Sequence, residues 1–298
     1  MLRPASLAAL LAVAAAAAVD STIVSLDRLP LNTRGRHITD KAGKRVRLAC
    51  VNWYGAHMEV YSVFGLHKQP LRNISRHIAD LGFNCIRMPI SIALWAQNPP
   101  VPSHVLSANP DLQKLNLRGM ELLDHTIKAL TDAGLLIFLN DHTSSAGWCC
   151  DLNSEEGIWD NPAYNVSMWL DCVSALVRRY AHDPRVVAFD LRNEIHDTPT
   201  REITWGTSDD IRTDWKAATE AAAANIYEID PQMLVVVSGL CSSCAAAPPR
   251  ESARRPSLPA HDACLPSLRQ SPLHRRGTTL APPPPPPHRL PARRTGMI

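Results

Sequence analysis

The chain has 298 residues, is 45% hydrophobic and 20% charged, and carries a net charge of only +3. That composition suits a globular protein with one large domain or two modest ones. The positive excess is local, since residues 245–298 hold nine arginines against Glu251 and Asp262 alone; the remainder is mildly acidic, which argues against a nucleic-acid function for the folded part.

The opening residues, MLRPASLAALLAVAAAAAVDS, place Arg3 before an apolar run that ends in small alanines. This order predicts a secretory signal peptide over 1–18 and a secreted, extracellular product. No later run approaches the roughly 20 apolar residues that a membrane span needs, so none is expected. Eight cysteines can pair in an oxidising compartment, and vicinal Cys149 and Cys150 are each expected to find a separate partner. Cys241 and Cys244 form a single C-x-x-C with no second half, so no zinc site is expected. Asn73-Ile74-Ser75 and Asn165-Val166-Ser167 are glycosylation sequons suited to a secreted surface.

From Arg36 to Leu48 the sequence alternates around Lys41-Ala42-Gly43-Lys44, predicting a β-hairpin that runs into a buried strand, LACVNWYG. LRNISRHIADLG then spaces Leu71, Ile74, Ile78 and Leu81 as a helix stopped by Gly82, and CIRMPIS follows as a strand. The alternation repeats with a helix closed by Gly134, the strand LLIFLNDHT, a helix opened by Pro162, the strand VVAFDLRNE, a helix over DIRTDWKAATEAAAANIYEID and the strand LVVVSG. Continuous apolar strands between amphipathic helices predict an α/β fold with parallel strands buried on both faces. Polar residues at the strand ends, Arg87, Asn140-Asp141-His142 and Asn193-Glu194, favour a (β/α)8 barrel over an open doubly wound sheet, and no G-x-G-x-x-G follows the first strand.

Five barrel strands are legible, so the TIM barrel is incomplete, occupying residues 19–244. Beyond 244 no Phe, Trp, Tyr or Val appears, and the only Ile is the last residue, which predicts a disordered Pro/Arg-rich tail with Pro282 to Pro287 in polyproline II. An open five-stranded piece leaves two unpaired edges, so aggregation or degradation is expected of it.

VNWYG, IRMPI, LNDHTSSAGWCC and LRNE stand in this order at the strand ends. In these pieces the chain resembles a C-terminally truncated member of glycoside hydrolase family 5, the retaining cellulase and mannanase type, over roughly Leu31 to Leu240. The resemblance implies an O-glycosyl hydrolase acting on a β-linked polysaccharide such as glucan or mannan, with no cofactor and no metal. Its partner would be a polysaccharide or oligosaccharide, and the chain is expected to be a monomer.

Residue by residue, the resemblance makes Glu194 the general acid/base, its pKa raised by a confined site. Asn193 would bond the sugar 2-hydroxyl, Arg87 would orient the nucleophilic carboxylate, and His142 would sit beside the reacting sugar with Asp141 fixing its tautomer. Trp148 would stack on a sugar face and His57 would line the substrate, whereas Trp53 and Trp95 could equally stack on sugar or pack near the barrel mouth. The nucleophile, which the family takes from a seventh strand, is absent from this sequence, and Glu59, Asp141 and Asp197 are the upstream acids in mouth loops. Two other readings stand beside this one: a secreted, non-catalytic carbohydrate-binding pseudoenzyme, and a proline-rich tail that docks an SH3-like groove.

Overall fold

The computed structural model describes residues 23–149 and 154–240; the predicted signal peptide and Pro/Arg-rich tail lie outside them. Among the described residues seven strands form two sheets. β1 (Asn32–Arg34) and β2 (His37–Thr39) pair antiparallel, and Thr39 bridges Arg45 across the turn that Gly43 closes. The expected hairpin is therefore the second half of a small meander.

The main sheet is parallel throughout, in the order β3 (Cys50–Asn52), β4 (Cys85–Ser91), β5 (Leu136–Thr143), β6 (Val186–Asp190), β7 (Leu234–Val236). Sequential order with a helix after each crossover is the winding of a (β/α)8 barrel, here an incomplete one of five strands. Four crossover helices cover its outer face: α1 (Leu71–Asp80), α4 (Gly119–Asp132), α5 (Val166–Tyr180) and α6 (Trp215–Ile229), the last before β7. Two short helices, α2 (Ile92–Gln97) and α3 (Pro110–Gln113), sit in the long β4–α4 connection and have no counterpart in the sequence expectations.

The helix ends follow local chemistry. Gly82 (φ +90°) and Gly134 (φ +89°) supply the left-handed turns that stop α1 and α4. α5 opens at Asn165, not at Pro162 as expected, because the Asn165 carboxamide accepts the Met168 N–H at 3.0 Å and satisfies an orphan donor of the first turn.

β3 departs from expectation. It spans three residues and is exposed at Cys50 and Asn52, not strongly buried, because it is an edge strand with β4 on one side only. A disulfide joins Cys50 to Cys85 directly across that pair, and Cys149 is disulfide-bonded as well.

Alternation along each strand separates two cores. Ile137, Leu139, Ile86, Met88 and Phe189 pack outward against the helices with buried Trp159, Trp169 and Trp215. Cys85, Leu136, Ala188 and Leu234 pack with Val24, Leu31 and Val46 of the N-terminal segment, which closes the lower end of the sheet. The upper, carboxyl ends are left polar, and the site residues gather there.

Candidate active site

β4 and β6 each place one charged side chain on the concave face. Arg87 donates from Nε to Asp190 Oδ2 at 2.7 Å and from Nη2 to Asn193 Oδ1 at 3.0 Å, with Asn52 Oδ1 at 3.4 Å. Asp190 is almost fully buried, and that burial raises its pKa against the lowering pull of the Arg87 guanidinium. One arginine thus links the ends of β3, β4 and β6.

Asn193 is tied a second time, its backbone N–H donating to the Asp141 carbonyl at the end of β5. Because Arg87 occupies Oδ1, the orientation of the Asn193 carboxamide is fixed. Glu194 follows with φ +42° and an exposed side chain. The confinement expected around it is not supplied by the described residues, since five strands enclose only one side.

β5 supplies His142, whose Nδ1 lies 2.8 Å from Asn140 Oδ1, so Nδ1 carries the proton and Nε2 its lone pair. This corrects the expectation that Asp141 sets the tautomer. Asp141 points to the opposite face, as strand alternation requires, and pairs there with Arg192 at 3.0 Å. The His142 ring packs on His57, with centroids 4.5 Å apart. Burial pushes His57 down to about 4, opposed by Glu59 and helped by Arg87. Burial, with the nearby charges of His57, Arg87 and Arg192, pushes His142 down to about 2. Both rings are therefore neutral near pH 7, and His142 acts there as a hydrogen-bonding group, not as a cation.

Aromatic rings continue the surface outward. Tyr54 contacts His57 at 5.3 Å and Trp148 edge-on at 5.4 Å, and Trp148 is 69% exposed. The loop that carries it is held by the Gly147 N–H on the His57 carbonyl. Trp53 is buried with its indole N–H on the Phe64 carbonyl, and Trp95 is half-buried. Among the upstream acids, Glu59 is exposed near His57, Asp141 is committed to Arg192, and Asp197 is exposed and accepts the Ile203 N–H at 2.8 Å. The six expected residues thus form two linked groups, Arg87–Asn193–Glu194 and His142–His57–Trp148, joined by the Arg87 charge.

Behind the site lies a group that sequence reasoning missed. Arg192 is fully buried and donates to Asp141 Oδ2, Ser144 Oγ, the carbonyls of Glu156 and Ile158, and Glu156 Oε2. Glu156 in turn accepts the Ser144 and Ser145 N–H groups. Burial raises the Asp141 pKa to about 6 against the lowering effect of Arg192. This cluster fastens the β5–α5 loop to the residue preceding Asn193-Glu194. Among the described residues no group of three or more His, Cys, Asp or Glu is placed to hold a metal ion.

Fold and site together define a (β/α)-barrel protein with a polar cleft at the carboxyl ends of its strands. The chain belongs to the cellulase family, glycosyl hydrolase family 5, whose sequence profile it matches over residues 39–257. It is 32% identical over 229 residues to a glycosyl hydrolase 5 family protein of Chamaecyparis obtusa, covering 71% of this chain and 39% of that one. It is 29% identical over 209 residues to an endoglucanase of Paenibacillus polymyxa, covering 70% and 49%. Among solved structures, the catalytic domain of the major endoglucanase from Xanthomonas campestris superimposes with a TM-score of 0.61 at 29% identity, covering 71% of this chain and 57% of that one. The chain therefore spans 39% and 49% of the length of these two curated relatives.

Proposed function

We propose that the chain is a retaining β-glucan hydrolase of the endoglucanase type, with Glu194 as general acid/base. The observation that carries this reading is the Arg87–Asn193 hydrogen bond, which draws the end of β4 to the residue beside Glu194 at the open end of the sheet. In this reading Glu194 protonates the glycosidic oxygen and then takes a proton from water, while Asn193 meets the sugar 2-hydroxyl and neutral His142 offers Nε2 to the same sugar. A retaining mechanism also needs a carboxylate about 5–5.5 Å from the first. Among the described residues none is held opposite Glu194, so these residues supply the acid/base and the sugar-orienting groups.

The ligand class follows the relatives: an endocellulase from Pyrococcus horikoshii, 25% identical with a TM-score of 0.60, is described in complex with cellotetraose. Export follows the predicted leader, and one relative, 30% identical, is named a major extracellular endoglucanase. The test is release of reducing sugar from cellotetraose or soluble β-1,4-glucan by the full chain, with Glu194→Gln expected to reduce turnover by at least a thousandfold. A second reading, sugar binding without cleavage, is favoured by the exposed Trp148 ring. Cellotetraose binding that Trp148→Ala abolishes, with no product from the unsubstituted chain, would select it.

A further inference from the structure

We propose that His196 is a positioning residue for Glu194, its imidazole holding the backbone of the acid in a left-handed turn and so aiming the carboxyl group. This rests on the reading of Glu194 as acid/base and adds the group that orients it. Glu194 adopts φ +42°, a region that crowds the Cβ of any residue but glycine, so something must hold it there.

The Glu194 carbonyl oxygen lies 2.6 Å from His196 Nδ1. A carbonyl can only accept, so Nδ1 carries the proton and donates. The ring is itself wedged in place. His196 is 6% exposed, its N–H donates to the Gly157 carbonyl at 3.1 Å, and a Cβ on residue 157 would stand 2.6 Å from ring atoms Cδ2 and Nε2. Only glycine at 157 lets the ring lie where it does. His196 Nε2 is buried and has no hydrogen-bond partner among the described residues, so the ring's one bond to a neighbour is the one made to Glu194.

On the other side, Asn193 is fixed by its N–H on Asp141 and Arg192 by its buried guanidinium, and Ile195 is fully buried. Every residue from 192 to 196 is anchored while the Glu194 side chain projects into the open. Its direction is therefore set through the backbone.

The experiment uses the full chain. Nitrogen NMR of 15N-histidine-labelled protein is expected to show His196 as the Nδ1–H tautomer. In crystals of His196→Phe, which keeps a ring and loses the donor, φ of Glu194 is expected to leave the left-handed region. His196→Asn, whose Nδ2 can stand where Nδ1 does, is expected to retain it. Should His196→Phe not fold, Gly157→Ala displaces the ring from its other side and is expected to shift φ and tautomer together. On an aryl β-cellobioside, His196→Phe is expected to lower kcat at least tenfold with KM within twofold, and His196→Asn to restore most of the loss. An Nε2–H tautomer, or a Glu194 φ unchanged in His196→Phe, overturns the proposal. A wild-type chain that hydrolyses nothing while tautomer and φ behave as stated overturns the acid/base reading and leaves the placement by His196 standing.

Discussion

Burial of His57 and His142 makes the site a source of acid sensitivity whose sign can be worked out. An unfolded histidine titrates near 6.5, whereas the folded chain holds His57 at about 4 and His142 at about 2. Between pH 6.5 and 4 the unfolded state binds two protons that the fold refuses, so stability falls with falling pH by about 1.4 kcal/mol per unit for each ring. Asp141 works in the opposite direction: its folded pKa of about 6 exceeds its unfolded 3.8, so it stabilises the fold as pH falls through that window. Asp40 and Asp210 are held below 3.8 and titrate lower still. Asp190, which burial also raises, acts with Asp141, so the slope between pH 4 and 6 is less than that of the two histidines together. Urea midpoints should therefore lose more between pH 6 and pH 4 in the wild-type chain than in His142→Gln, which lacks the ring that refuses its proton most strongly. An equal slope in both would show that His142 is not refused its proton.

The same residues mark how far the sequence could be read at this scale. Arg87, His142, Asn193 and Glu194 were legible because polar residues interrupt apolar strands. Asn140 as the partner of His142 was not, since the choice between it and Asp141 depends on which face of β5 each occupies. Arg192 was hidden further, because its five acceptors come from segments up to 51 residues away that only tertiary folding assembles.

Among the elements, α6 shows how one side chain sets both a helix start and the loop that leads into it. Asp214, fully buried, accepts the Ala217 N–H at the start of α6 together with Thr204 Oγ1 and the N–H groups of Gly206, Thr207 and Ser208. These donors hold its carboxyl well below the usual range. An ordinary N-cap lost to alanine costs about 1 kcal/mol. Asp214→Ala also leaves loop donors unsatisfied in a buried place, so a cost of about 2–4 kcal/mol is expected, read as a lowered urea midpoint at constant m-value. A loss under about 1 kcal/mol would mean that water replaces the carboxylate without penalty. Helix ends marked by Gly82 and Gly134 were readable because the signal is local. The six-residue α2 was not, since one and a half turns show no periodicity, and its start depends on Ser91 Oγ accepting the Leu94 N–H. β3 read as buried from its apolar residues, yet burial of a strand is a property of its neighbours.

At the scale of the molecule, the described sheet has two edges, β3 and β7, each paired on one side only. Unpaired strand edges invite pairing with another chain, and three-residue strands limit the template each one offers. β3 has a further restraint, because the Cys50–Cys85 disulfide ties it to β4 across a sequence separation of 35 residues. Closing a loop of that length restricts the unfolded chain enough to contribute on the order of 3–4 kcal/mol. Paired Cys50→Ser and Cys85→Ser substitution is thus expected to lower the unfolding free energy by that amount, and reduction, which also breaks the Cys149 bridge, by at least as much. It should act first on β3, the strand that the bridge ties to β4. Light scattering is then expected to rise with protein concentration in the reduced chain and to stay low in the oxidised one. If stability falls on reduction while scattering is equally high in the reduced and oxidised chains, the edge that associates is β7, and a charged residue at Val236 is expected to suppress the association instead.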